Sequence, residues 1–284
     1  MSIFFKRKPY TVGLALSGGG AKGFAHIGVF QALDEFGIRP DIISGTSVGA
    51  LMGALYADGY PAGEIRQLFN GREFTEFAQL QLPKSGIFDS SRFSLFLEER
   101  LRARQFEELQ IPLIVTATDL DNGKGRAFTS GPMVETVRAS CSVPVLFSPV
   151  LIDGVHYVDG GLFHNFPVSF IRPQCEYVIG VNVSPYVPRE YSQNLYSIAE
   201  RSFHYLFLAN TNSDRRNCDI LIETEAFGQY KMFDLKNVDR MVESGYRTAL
   251  DAMERFLTDR KKKAQARQFL QKFPKLQKFR QIHP

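Results

Sequence analysis

Short runs that are apolar throughout alternate along the chain with longer segments whose apolar positions recur every three or four residues. Residues 11–16 (Thr-Val-Gly-Leu-Ala-Leu) end in a glycine cluster and read as a buried strand. Residues 41–44, 113–118, 177–183 and 219–223 read as further strands, with 177–183 the most continuous. Between them, Phe24, Ile27, Val29, Phe30 and Leu33 keep helical spacing up to a stop at Gly37, and Val48 to Ala57 is an apolar helix closed by Gly59. The spacing also predicts helices over 132–141, 191–213 and 237–259. Residues 61–109 read as helical and Phe-rich, with rings at 69, 74, 77, 88, 93, 96 and 106. Two turns, Asp121-Asn-Gly-Lys-Gly and Asp153-Gly154, predict hairpins into 126–129 and between 150–152 and 155–158. Strands alternating with helices predict an α/β fold of three layers, α/β/α, with a largely parallel central sheet.

Composition narrows the setting. At 284 residues the chain suits one large domain or two small ones, and its charged and aromatic fractions of 23% and 13% exclude wholesale disorder. Three cysteines, at 141, 175 and 218, exclude a disulfide framework and fit a reducing compartment. No run of 18 or more apolar residues is present, which excludes a membrane-spanning helix, and the N-terminal charges follow too short an apolar stretch for a secretory signal. The expected location is cytoplasmic, with peripheral membrane contact through the C-terminus. The net charge of +4 is unevenly spread. Residues 260–284 hold nine Lys/Arg and no carboxylate side chain, so residues 1–259, with 25 basic and 30 acidic side chains, carry −5. This divides the chain into a body, 10–259, and a basic extension, 260–284. In the extension, apolar residues at 269, 270, 273, 276, 279 and 282 predict a basic amphipathic helix interrupted at Pro274. Such a helix suits an anionic membrane surface, or lays its apolar stripe back on the body; both readings stand. Nucleic acid is not an expected partner, since no supporting motif or basic body accompanies the tail.

Candidate chemistry sits at glycine-rich junctions. Gly18-Gly19-Gly20-Ala21-Lys22-Gly23 follows a strand and opens a helix. A dinucleotide fingerprint would need a carboxylate ending the second strand, but that strand ends in Ser44-Gly45. A P-loop would need Lys after its last glycine, where Phe24 stands. The loop still offers backbone N–H groups beside a helix N-terminus, suited to an anion that forms in a transition state. Gly45-Thr46-Ser47-Val48-Gly49 is G-x-S-x-G between strand and helix, the context in which a serine is turned outward as a nucleophile. The plainer reading makes Ser47 a helix cap. Two such junctions, at one edge of a parallel sheet, favour nucleophile beside donor loop. Of the five histidines, at 26, 156, 164, 204 and 283, none stands out as a base. Asp159-Gly160-Gly161, after the apolar 155–158, reads either as a carboxylate facing a sheet edge or as an ordinary Asp-Gly turn.

Taken together, G-G-G-x-[KR]-G at 18–23, G-x-S-x-G at 45–49 and D-G-G at 159–161 resemble, in that order, the motifs of the patatin-like phospholipase family. The similarity extends over roughly Tyr10 to Leu257, through Ala25-His-Ile-Gly-Val, 111–120 and 139–150. The resemblance implies a Ser47–Asp159 dyad without histidine, backbone N–H groups of Gly18, Gly19 and Gly20 around the oxyanion, and Lys22 as a headgroup contact or a solvated lysine over the loop. It implies hydrolysis of acyl esters of phospholipid or lysophospholipid without metal or organic cofactor. The alternative is a membrane-associated lipid-binding or scaffold protein that keeps a vestigial site. Oligomeric state is left open, a homodimer included.

Overall fold

The computed structural model describes residues 8–73, 76–77, 79–80, 86–188, 190–191, 193–230 and 235–277. The chain runs β1 (Tyr10–Leu16), α1 (Ala25–Phe36), β2 (Ile42–Thr46), α2 (Val48–Ala57), α3 (Ala62–Phe69), β3 (Gln79–Leu80), β4 (Phe88–Asp89), α4 (Ser91–Arg100) and β5 (Leu113–Asp119). It continues with β6 (Lys124–Phe128), α5 (Met133–Ser140), β7 (Val150–Ile152), β8 (Val155–Asp159), α6 (Gly161–His164), α7 (Val168–Ile171) and β9 (Cys175–Val181). The last elements are α8 (Leu195–Arg215), β10 (Ile220–Ile222), α9 (Val238–Thr258) and α10 (Lys263–Lys272).

The central sheet has the order β10-β9-β1-β2-β5-β8-β7, with β6 also on β5. Every pairing from β10 to β5 is parallel; β6 and β8 join β5 antiparallel. The expected α/β fold with a mostly parallel sheet is thus observed, helices covering parallel strands β1, β2, β5 and β9 that are themselves almost fully buried. One core cluster packs α1, α2 and α9 on the sheet, and a second gathers Ala15, Ile42, Ile114, Phe166 and Val178. The α1–α9 crossing is close: a Cβ on Gly28 would lie 1.9 Å from the Val242 carbonyl oxygen.

Residues 61–109 are not one helical stretch. α3 ends where Asn70 turns extended, and Gly71 follows at φ +74°. A two-residue strand pair, α4 and an extended Leu101 complete the region, its Phe rings providing burial with no helical period to continue. Phe74 and residues 278–284 lie outside the described residues.

Candidate active site

Strand register builds the site. β6 pairs with residues 115–119 of β5 along one edge, so β2 and β8 share the other. β2 arrives parallel and ends at Thr46 opposite Thr116; β8 arrives antiparallel and ends at Asp159 opposite Ala117. Two strand ends therefore meet head to head on consecutive residues of β5, bringing Ser47 and Asp159 together across more than a hundred residues of sequence.

Ser47 has φ +55° and ψ −125°, a conformation a non-glycine residue adopts at a cost of about 1–3 kcal/mol. What holds it there is a set of backbone bonds. Its N–H donates to Ser140 Oγ at 2.8 Å, and that hydroxyl donates onward to the Thr116 carbonyl at 2.7 Å. Its carbonyl accepts the Ala50 and Leu51 N–H groups, at 2.8 and 3.0 Å. The Ser47 hydroxyl makes no cap bond to α2, so the plainer reading as a helix cap does not apply. The fit behind it requires glycine, since a Cβ on Gly49 would sit 2.3 Å from the Leu16 carbonyl oxygen.

Asp159 is 1% exposed. Its Oδ1 accepts the Gly161 N–H at 2.7 Å, while Oδ2 is buried without a hydrogen bond of ordinary geometry. Burial raises its pKa to about 6; the Ser47 hydroxyl and the Gly161 amide, both favouring the charged form, offset part of that rise. The same hydroxyl reaches Cys141, whose thiol burial and the Asp159 charge hold well above the ordinary range. At neutral pH the thiol stays protonated, and the carboxylate is the available proton acceptor.

No histidine lines the cavity that holds Ser47, among the described residues. His26 is fully buried, bonds the Ser17 carbonyl at 3.0 Å and is pushed down to about 4 by burial. His164 packs edge-on against Phe170, and exposed His156 faces Asp121 at 3.2 Å.

The glycine loop lies against Ser47: a Cβ on Gly18 would come 3.2 Å from Ser47 Cβ. Its three amides are not equivalent. Gly18 N–H donates to the Asn165 carbonyl at 3.0 Å and is engaged. Gly19 and Gly20 line the Ser47 cavity, and neither N–H has an acceptor among the described residues. Lys22, only 5% exposed, lines a separate small pocket with Arg201, His204, Tyr186 and Tyr205. The structure thus brings Ser47, Asp159, Gly19 and Gly20 to one cavity and leaves the Lys22 side chain out of it.

That cavity, of about 140 Å³, is overwhelmingly apolar. Phe24, Leu51, Met52, Phe69, Phe77, Phe93, Phe147 and Phe207 line it. Of the Phe-rich segment, rings 69, 77 and 93 face the cavity and 96 and 106 belong to the core; Phe88 pairs with Phe147 at 6.0 Å.

A sequence model of the patatin-like phospholipase family matches residues 14–171, more than half of the chain and all three motifs. The chain belongs to the patatin-like phospholipase family. It is 35% identical over 170 residues to the patatin-like phospholipase domain-containing protein ZK370.4 of Caenorhabditis elegans, covering 57% of this chain and 13% of that protein. It is 34% identical over 168 residues to lysophospholipase NTE1 of Pyricularia oryzae, covering 57% of this chain and 11% of that one. The chain therefore matches a small part of these much longer relatives. Among solved structures, VipD from Legionella pneumophila superposes with a TM-score of 0.52 at 15% identity, over 86% of this chain and 66% of its own, a likeness of fold.

Asn210 of α8 is a residue the sequence did not mark. Its Nδ2 donates to the carbonyls of Gly161 at 2.8 Å and Leu162 at 3.3 Å, and its Oδ1 accepts the Asn165 N–H at 2.9 Å. Through Asn165 it ties the Asp159 loop to the glycine loop. No local pattern distinguishes it from any other helical asparagine; besides a bond to the Leu206 carbonyl one turn earlier, its bonds span 45 residues or more.

Proposed function

We propose that this patatin-like chain is a serine hydrolase of lipid acyl esters. Ser47 Oγ attacks the ester carbonyl while Asp159 takes its proton; the alcohol leaves with a proton, and the acyl group remains on Ser47. Water, deprotonated by Asp159, then releases the fatty acid and restores the serine. The oxyanion is received by the Gly19 and Gly20 N–H groups, each such donor being worth ~2.7–4 kcal/mol of barrier. A metal or organic cofactor has no part in these steps.

The observation that carries this reading is the uncapped Ser47 hydroxyl beside a buried carboxylate raised to about 6, at the wall of a Phe-lined cavity. A carboxylate with that pKa is a far better base at neutral pH than an ordinary aspartate. The apolar wall suits an acyl chain, and the family and its lysophospholipase member support phospholipid or lysophospholipid as substrate. We assign the catalytic body to residues 10–259 and give the extension 260–284 a role at anionic membrane surfaces, through exposed cations such as Arg260, Lys261, Lys263 and Arg267.

Ser47→Ala and Asp159→Asn are expected to lower turnover of a medium-chain acyl ester by about 10³-fold or more. The wild-type kcat/KM is expected to fall on the acid side with a limb near 6, where Asp159 takes up its proton. Full activity in Ser47→Ala would sink the proposal; liposome binding without turnover on any lipid ester would favour the scaffold reading.

A further inference from the structure

Arg138 is the one cation lining the Ser47 cavity among the described residues, and its surroundings do not account for it. It stands in the last turn of α5, two residues before Ser140, the residue that holds the Ser47 N–H. Its Nη1 donates to Ser94 Oγ at 2.9 Å. Its Nε is buried with no hydrogen-bond partner, and it makes no ion pair among the described residues. The carboxylate that feels its charge is Asp89, which is instead occupied by the Ser91 N–H and hydroxyl at 2.9 and 2.7 Å. Nε lies beneath the surface, but the residue lines the cavity, and low polarity there strengthens any charge its guanidinium meets. A neutral acyl ester offers it carbonyl oxygens but no opposite charge.

We infer that Arg138 is the specificity residue for the anionic part of the substrate, binding the phosphodiester of a lysophospholipid while the acyl chain lies along the Phe-lined wall and the ester meets Ser47. This rests on the reading of the cavity as an ester-hydrolysing site. In the bound state the phosphate supplies the opposite charge that no ion pair gives the guanidinium, and its planar fork suits an oxyanion better than an ammonium would. Arg138 therefore sorts phosphate-bearing esters from neutral glycerides, leaving the chemical step to Ser47 and Asp159.

The test reads binding rather than turnover, so that its outcome is separate from that of the hydrolysis proposal. Ser47→Ala protein is titrated calorimetrically with two non-hydrolysable ligands of equal short chain, an alkyl-ether glycerophosphocholine and the matching alkyl-ether glycerol. The expected result is preference for the phosphodiester, cut about tenfold or more by adding Arg138→Gln and partly kept by Arg138→Lys, the usual worth of a charge-assisted hydrogen bond. Folding of each variant is checked by its melting temperature. An unchanged preference, or equal loss on both ligands, overturns the inference and makes Arg138 a packing residue. Two further arms separate the sources of the anion. Inorganic phosphate competing as well as the ether phospholipid, or a fatty carboxylate losing more affinity than the phosphodiester in Arg138→Gln, would also overturn it.

Discussion

Asp159 shows at the scale of one residue how the role proposed for it opposes stability. Burial raises its carboxyl from the ordinary 3.8 to about 6, so the folded protein favours the neutral form more than the unfolded chain does. The cost of ionising it in place is absent below pH 4, grows between 4 and 6, and is complete above 6. A displacement of this size corresponds to ~3 kcal/mol. Asp159→Asn is therefore expected to raise the melting temperature at pH 8, with the gain shrinking to nothing toward pH 4; the same difference at every pH would contradict this account. Residue by residue, what could be read in advance was what carries a local signature. Ser47 and Asp159 sit in short motifs, as do the glycines. Ser140 and Cys141 fall in the 139–150 stretch of the resemblance, but nothing local gives them a partner, Ser140 lying 93 residues from the amide it holds, and Arg138 has no signature. The motif also gave no way to rank its three glycines, because the acceptor that engages Gly18 is the carbonyl of Asn165, supplied by a distant turn.

At the scale of elements, the meeting of Ser47 and Asp159 is a product of topology. One strand running with β5 and one running against it stop on adjacent residues, which brings Ser47, just beyond β2, to Asp159, the last residue of β8. Hydrophobic pattern located β1, β2, β5, β9 and the long helices, since buried parallel strands and amphipathic helices each declare themselves by period. It failed over 61–109, where Phe residues are spaced for burial in a cavity and core and belong to several short elements. It was also silent on α6 and α7, each four residues long. Nor could it say that α8 supports the site. Asn210→Ala removes the side-chain bonds to Gly161, Leu162 and Asn165, and is expected to lower kcat about tenfold and stability by about 1–3 kcal/mol. Wild-type kcat in that variant, measured alongside chemical denaturation, would show that the Asp159 loop holds itself.

Over the whole molecule, charge and packing divide the chain differently. The charge boundary falls at residue 260, whereas packing crosses it. Phe269 of α10 is fully buried, 4.8 Å from the Tyr177 ring and 5.4 Å from Phe256, and Leu276 is 1% exposed. Lys272 pairs with Glu176 at 2.7 Å, and Lys262 Nζ reaches the Asp219 carbonyl at 2.9 Å. The apolar stripe of the extension, as far as residue 277, is thus spent on the body, and its outer face presents charge. Phe269→Ala is expected to cost about 3–5 kcal/mol in denaturant unfolding. A loss under 1 kcal/mol would mean that the extension is only loosely attached.

The account turns on Ser47 being the nucleophile that Asp159 activates, and covalent capture tests this most directly. The protein is treated with an alkyl fluorophosphonate, digested, and the modified peptide mapped, with the rate of labelling followed from pH 4 to 8. The account predicts a single adduct on Ser47, formed more slowly as pH falls through about 6 and lost in Asp159→Asn. An adduct on another serine of the cavity, such as Ser90 or Ser142, or labelling of Ser47 at a rate indifferent to pH and to Asp159, would contradict it.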